Sequence, residues 1–247
     1  MKNVKIEGHR GWCSNYPENT IISFEAAIKK GVDSVEFDVW LTKDKVPVLI
    51  HDGNCMRTCG KYVHVNDLTL EEVKQLDAGY PDKFGDKFTG KGITIATLEE
   101  LLQLVKELNP KMSLGVEIKE YTEECVDITV ALLKKYGLFE QCFFYAFHHD
   151  VIKYIFEKYN GFTMGYPDFQ MRNFQPGGYN YYNEIGMSMA LVRSEIFEVY
   201  ASKGFKMHLY CADTEDEVNY LIEKGASYIT CNDIEPMLKV LGRWTEE

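Results

Sequence analysis

Residues 33–52 read DSVEFDVWLTKDKVPVLIHD: an apolar strand, a short polar turn, and a second apolar run ending in His51-Asp52. Strand alternation sets Ser34, Glu36 and Asp38 on one face and Val35, Phe37 and Val39 on the other. Two like charges on the inner face of a core strand repel and lose hydration, so the arrangement calls for a cation. The connection LTKDK is too short for a parallel crossover, which makes 46–51 an antiparallel return. Centring the turn on Thr42 to Lys45 opposes Leu41 to Val46, Asp38 to Leu49 and Glu36 to His51. That register brings an imidazole beside the carboxylates, and Pro47 suits an edge strand.

Outward from this hairpin the chain alternates strands and helices. Residues 4–8 form a first strand delivering His9-Arg10-Gly11, and PENTIISFEAAIKKG follows as a helix capped by Asn19 or Thr20 and ended by Gly31. After the hairpin, 53–94 reads as a small inserted cap, because a structureless loop of that length is uncommon in a compact domain. Helices at 97–107, 122–136, 148–158, 194–202, 214–224 and from 234 then alternate with strands at 113–118, 142–146, 161–165, 185–189, 206–210 and 227–231. Without the hairpin return, the strands starting near 4, 33, 113, 142, 161, 185, 206 and 227 number eight, which predicts a (β/α)8 TIM barrel over one domain, 1–247. No glycine-rich turn follows the first strand, as a dinucleotide-binding open sheet would require.

At 247 residues, 45% hydrophobic and 26% charged, the chain has the composition of a soluble globular protein. A net charge of −11 argues against nucleic acid and anionic membrane as partners. No apolar run approaches the ~20 residues of a membrane span, and MKNVKIEGHRG lacks the apolar core of a signal peptide, so a cytoplasmic location without membrane insertion is expected. The seven scattered cysteines contain no CxxC and read as reduced thiols. His51, Cys55, Cys59 and His64 match no common zinc spacing. The oligomeric state, including a homo-oligomer, is left open.

In a barrel the reactive groups stand at the C-terminal ends of strands. Those ends carry His9-Arg10, Glu36 with Asp38, His51 from the hairpin, and Glu117 with Lys119 in LGVEIK. Singly, a histidine at a strand end is an ordinary surface residue and Glu117 with Lys119 an ordinary ion pair. Together they alternate inward on otherwise apolar strands, which independent surface residues have no reason to do. Carboxylate oxygens suit a hard ion, Mg²⁺ or Ca²⁺. Such an ion with Arg10 and Lys119 would neutralise phosphate oxygens, and two histidines would serve as general base and general acid, which fits phosphoester cleavage.

HRG at 9–11, PENT at 17–20, SFEAAIKKGVDSVEFDVWLTKD at 23–44, VLIHD at 48–52, RT at 57–58, LTLEEVKQLDAG at 68–79, ITIATLEELL at 93–102 and VEIK at 116–119 together resemble the glycerophosphodiester phosphodiesterase family. The resemblance spans the chain, with most of its weight before residue 120. It implies a barrel with a small insertion after the HD motif. His9 and His51 would be the catalytic acid/base pair, Glu36, Asp38 and Glu117 the ligands of a divalent ion, and Arg10 and Lys119 the phosphate contacts. The implied reaction cleaves a small-molecule glycerophosphodiester to glycerol 3-phosphate and an alcohol, by attack of a glycerol hydroxyl to a cyclic phosphate and then hydrolysis. A lysophospholipase D-like activity and a non-catalytic phosphodiester-binding barrel are the alternatives. The chain departs from the family in Lys45 for a turn glycine, Ala96 for a proline, and HLYCAD where a tryptophan is usual, which makes Tyr210 the substrate contact on the glycerol side. Tyr179, Tyr181 and Tyr182 are candidates for the alcohol pocket, and Tyr62, Tyr80, Phe84 and Phe88 for an apolar groove in the cap.

Overall fold

The computed structural model describes residues 4–246. Eight parallel strands, β1 (Lys5–Gly8), β2 (Ser34–Leu41), β4 (Ser113–Ile118), β5 (Cys142–Tyr145), β6 (Phe162–Gly165), β7 (Glu184–Ser188), β8 (Lys206–Tyr210) and β9 (Ala226–Cys231), follow one another around a sheet. Pairing of β1 with β2 through Glu7 to Ser34 and Gly8 to Val35 closes the barrel. The antiparallel β3 (Pro47–Leu49) lies beside the upper part of β2. Because β4 occupies the other edge of β2 over 34–39, β3 continues the edge that β1 occupies lower down.

The two faces of β2 explain the layering. Phe37 points outward and meets Phe24 of α1 (Ile21–Lys29) edge to face at 6.4 Å, inside a continuous core with Leu101, Val116, Val130 and Ile152. Glu36 and Asp38 point into the barrel and are fully buried. The outer helices begin on side-chain caps where the sequence supplies Thr-x-x-Glu: in α5 (Leu98–Leu108), Thr97 accepts from the Glu100 backbone N–H and Glu100 accepts from that of Thr97. Thr20 caps α1 by backbone alone, since its hydroxyl donates to the Pro17 carbonyl at 2.5 Å, and the Asn19 amide is drawn to Asp38 at 2.8 Å. The helix expected over 194–202 runs Ile196–Ala201, and a further short helix, Met189–Val192, precedes it.

The hairpin register differs by one residue from the expectation. Val39 opposes Leu49, Trp40 opposes Val48 and Leu41 opposes Pro47, so the loop is Thr42–Val46. Lys45 takes φ +66°, its N–H returns to the Thr42 carbonyl, and the Thr42 hydroxyl accepts the Val46 N–H at 2.9 Å; this extra turn residue shifts the return strand. Glu36 therefore has no cross-strand partner in His51. The imidazole arrives after β3 has ended, on a segment tied to β2 by the Ile50 N–H to the Asp38 carbonyl at 3.1 Å.

Between β3 and α5 run three short helices, α2 (Met56–Cys59), α3 (Leu70–Val73) and α4 (Pro81–Phe84). A second apolar cluster of Val48, Ile50, Cys55, Cys59, Val65, Val73, Ala78 and Ile95 lies beneath them. Both cysteines of the rejected zinc set are thus core residues. No helix among the described residues is long and apolar enough to cross a membrane.

Candidate active site

Parallel pairing of β2 with β4 sets Asp38 beside Glu117, and Glu36 is one pleat below Asp38 on the same face. Ligand oxygens of the three carboxylates lie within 4.8 Å of one another, all buried. Arg10 Nε stands 3.3 Å and Lys119 Nζ 3.4 Å from Asp38, and Lys119 also donates to Glu117 at 2.8 Å. Burial would raise the Asp38 pKa, but these two cations reverse the sign and hold it well below the usual range. Glu36 is pushed well above its ordinary value by burial and by the Asp38 charge. Glu117 rises to about 7 for the same reasons, Lys119 offsetting part of the effect. Two oxygens, Glu36 Oε1 and Asp38 Oδ1, are buried without a hydrogen-bond donor. An oxygen-rich cradle with orphaned acceptors fits a hard divalent ion, which would restore ionisation of all three acids.

The HRG turn brings the next groups. Arg10 adopts φ +53° and its N–H donates to Glu36 Oε2 at 2.9 Å. Gly11 follows at φ +86°, where a Cβ would meet Ser23 at 2.5 Å, so only glycine allows the turn to close on α1. His9 Nδ1 lies 2.6 Å from Asn232 Oδ1. The amide of Asn232 donates through Nδ2 to Asp213 at 2.7 Å, which fixes its oxygen toward His9, so the His9 proton is on Nδ1. Burial, and then Arg10, lower the His9 pKa to about 4, leaving a neutral ring whose Nε2 is 3.8 Å from Glu36. His51 Nδ1 lies 2.7 Å from Asp52 Oδ1; a carboxylate only accepts, so here too Nε2 is left free. Burial lowers the His51 pKa, opposed by Asp38 and Asp52.

All but Asp38 of the expected residues, namely His9, Arg10, Glu36, His51, Glu117, Lys119 and Tyr210, line one cavity of about 220 Å³, and Asp38 forms its wall behind Arg10 and Lys119. The opposite wall was not read from the sequence: Tyr145, Phe147, Met164 and Tyr166, with Tyr166 stacked on Phe147 at 4.0 Å and edge-on to Tyr210 at 6.1 Å. Tyr179, Tyr181 and Tyr182 stand elsewhere; Tyr182 bonds His149 at 2.8 Å and packs with Phe174 and Tyr179. Of the cap aromatics, Tyr62 is 89% exposed, while Phe84 and Phe88 pack on each other beside Tyr16.

The cavity floor holds a further charged set. His208 Nε2 lies 3.0 Å from Glu7, whose carboxylate also accepts from Thr230 and Ser34, and His208 Nδ1 faces Glu184 at 3.9 Å. Burial would depress His208, but Glu7 and Glu184 outweigh it and raise the pKa to about 9, which favours the protonated ring at this position. Gly115 makes room for it, since a Cβ there would meet Glu7 Oε1 at 2.5 Å.

A glycerophosphodiester phosphodiesterase of Caldanaerobacter subterraneus subsp. tengcongensis is 39% identical over 153 residues, 60% of each chain. One from Bacillus altitudinis is 44% identical over 116 residues, covering 47% of this chain and 45% of the relative. The matched stretches thus take in about half to three-fifths of these relatives' lengths. The crystal structure of an Oleispira antarctica phosphodiesterase in complex with sn-glycerol-3-phosphate superposes with TM-score 0.82 at 22% identity, covering 97% of this chain and 96% of that one. A glycerophosphodiester phosphodiesterase from Agrobacterium tumefaciens gives 0.76 at 23% identity, covering 96% and 99%. At that identity the structures speak for the (β/α)8 fold. The sequence model of the glycerophosphoryl diester phosphodiesterase family matches residues 9–235, from the histidine of the first turn to the last helix, and the chain belongs to that family.

Proposed function

We propose that the protein is a divalent-metal-dependent phosphodiesterase that hydrolyses glycerophosphodiesters to glycerol 3-phosphate and an alcohol. One observation carries this reading: a single cavity, with Asp38 in the wall behind it, brings three clustered carboxylates with two donor-less oxygens together with two cations and two imidazoles each fixed through Nδ1 with Nε2 free. Glu36, Asp38 and Glu117 would hold Mg²⁺ or Ca²⁺. Bound there, the ion supplies a Lewis acid toward the phosphoryl oxygens. Arg10 and Lys119 would bind the remaining phosphate oxygens and stabilise their growing charge. One of His9 and His51 takes the proton of the attacking hydroxyl at its free Nε2, and the other acts as the imidazolium, carrying a second proton on Nε2 that it gives to the leaving alcohol oxygen. Tyr210, on the aromatic wall, would pack against the substrate carbons. The closed aromatic wall and the modest cavity volume favour a glycerol-sized substrate over a lysolipid.

We read the chain as one barrel domain carrying 53–94 as an inserted cap, a reading supported by the second apolar cluster, where Cys55, Cys59, Val65, Val73 and Ala78 of that segment pack on Val48, Ile50 and Ile95. Seven free cysteines, six of them buried, suit a reducing, cytoplasmic setting.

The test is release of glycerol 3-phosphate from glycerophosphocholine and glycerophosphoethanolamine. The wild-type protein is expected to release it, and His9→Ala and His51→Ala to be slower by about 10²–10⁴. A fully active His9→Ala variant would refute the proton-transfer assignment.

A further inference from the structure

Two charged residues that touch none of the reacting groups assigned above to the ion join the two halves of the site. Arg57, at the start of the inserted segment in α2, donates from Nη1 and Nη2 to the two oxygens of Glu18, each at 2.8 Å, in the parallel fork that only a guanidinium makes. Its Nε donates to Asp52 Oδ2 at 2.5 Å, and Nη1 also reaches the Tyr80 hydroxyl at 3.1 Å. Asp52 holds His51 through its other oxygen, while Glu18 Oε1 accepts from Arg10 Nη1 at 2.9 Å. A continuous chain of hydrogen bonds therefore runs from His51 through Asp52, Arg57 and Glu18 to Arg10. Glu18 is 9% exposed, and both guanidinium partners are needed to keep its charge there. The Asp52 side chain is 39% exposed and without Arg57 would turn among rotamers as a surface carboxylate does.

We propose that Glu18 and Arg57 are positioning residues that lock the His51–Asp52 dyad of the hairpin and the phosphate-side Arg10 of the first turn into one geometry, with the inserted segment supplying the lock. The proposal rests on the reading of His51 as a proton carrier. It differs from plain structural support in what it moves: a loosened His51 slows the chemical step, whereas a loosened insertion lowers stability. Misplacement of a reacting group by about 1 Å can cost on the order of 100-fold.

For Arg57→Ala the expected result is a fall of kcat on glycerophosphocholine of roughly 100-fold with KM changed less than about threefold, and partial recovery on adding guanidinium or methylguanidinium ion. Arg57→Lys, which keeps the charge and the fold, is expected to stay slow because an ammonium cannot span both carboxylates. The comparison variant is Lys74→Ala, which cuts the insertion's bond to Glu100 of α5 (2.6 and 2.9 Å) and leaves kcat unchanged. A readout independent of turnover is the ring ¹⁵N spectrum of histidine-labelled protein: a fixed Nδ1–H tautomer for His51 in the wild type, averaged tautomers in Arg57→Lys and Arg57→Ala. An inactive wild type with those spectra would refute the phosphodiesterase reading and leave the positioning role standing. Unchanged His51 signals in both Arg57 variants, or Arg57→Lys with wild-type kcat, would overturn the positioning role.

Discussion

Asp38 has no exposed surface, lies between two cations, and still keeps one oxygen without a hydrogen-bond donor. Its neighbours Glu36 and Glu117 titrate above the ordinary carboxylate range because burial and the Asp38 charge favour their neutral forms. A divalent ion must displace those protons, so binding should be weak near pH 5 and strengthen as the pH rises through about 7, with protons released on binding. Calorimetry of Mg²⁺ or Ca²⁺ binding in buffers of different ionisation heat measures both, and Asp38→Asn should weaken binding by more than about tenfold. An affinity that does not change with pH, or that survives in Asp38→Asn, would contradict the assignment. These acids were legible in the sequence because each interrupts an apolar alternation on its own strand. Glu7, His208 and Glu184 were not, because the contact of Glu7 with His208 joins residues 201 apart and exists only once the barrel has closed. Glu18 and Arg57 stood in the quoted PENT and RT motifs, but nothing local in a sequence pairs them.

At the level of the hairpin, both strands and their antiparallel sense followed from apolar runs and a short connection, which are local signals. The register did not, because it turns on one backbone angle: Lys45 at φ +66° adds a residue to the loop. A side chain in this left-handed region is strained where glycine is not. Lys45→Gly is therefore expected to raise the thermal midpoint, since the native angle costs glycine nothing and the lost ion pair with Glu124 is on the surface. Calorimetric melting checks this, and a midpoint lowered by the substitution would show that the turn holds no such strain. The short helix Met189–Val192 ahead of the expected one has no comparable single cause in the sequence.

Over the whole molecule, eight strand and helix periods at barrel spacing sufficed to predict the closed sheet, and placing reactive groups at strand ends predicted the acid, cation and imidazole side of the cavity. Apart from Tyr210, the aromatic side escaped notice because Tyr145 ends β5 and Tyr166 directly follows β6, each looking like an ordinary core aromatic in its own stretch. The barrel brings both sides to one opening and places the hairpin histidine over the acids of its own partner strand. The measurement that bears most directly on the central claim is glycerol 3-phosphate release from glycerophosphocholine by protein stripped with a chelator, before and after adding back Mg²⁺ or Ca²⁺. The account predicts no turnover in the stripped protein and full recovery with one of the two ions; turnover that persists without metal, or none with either ion, would contradict it.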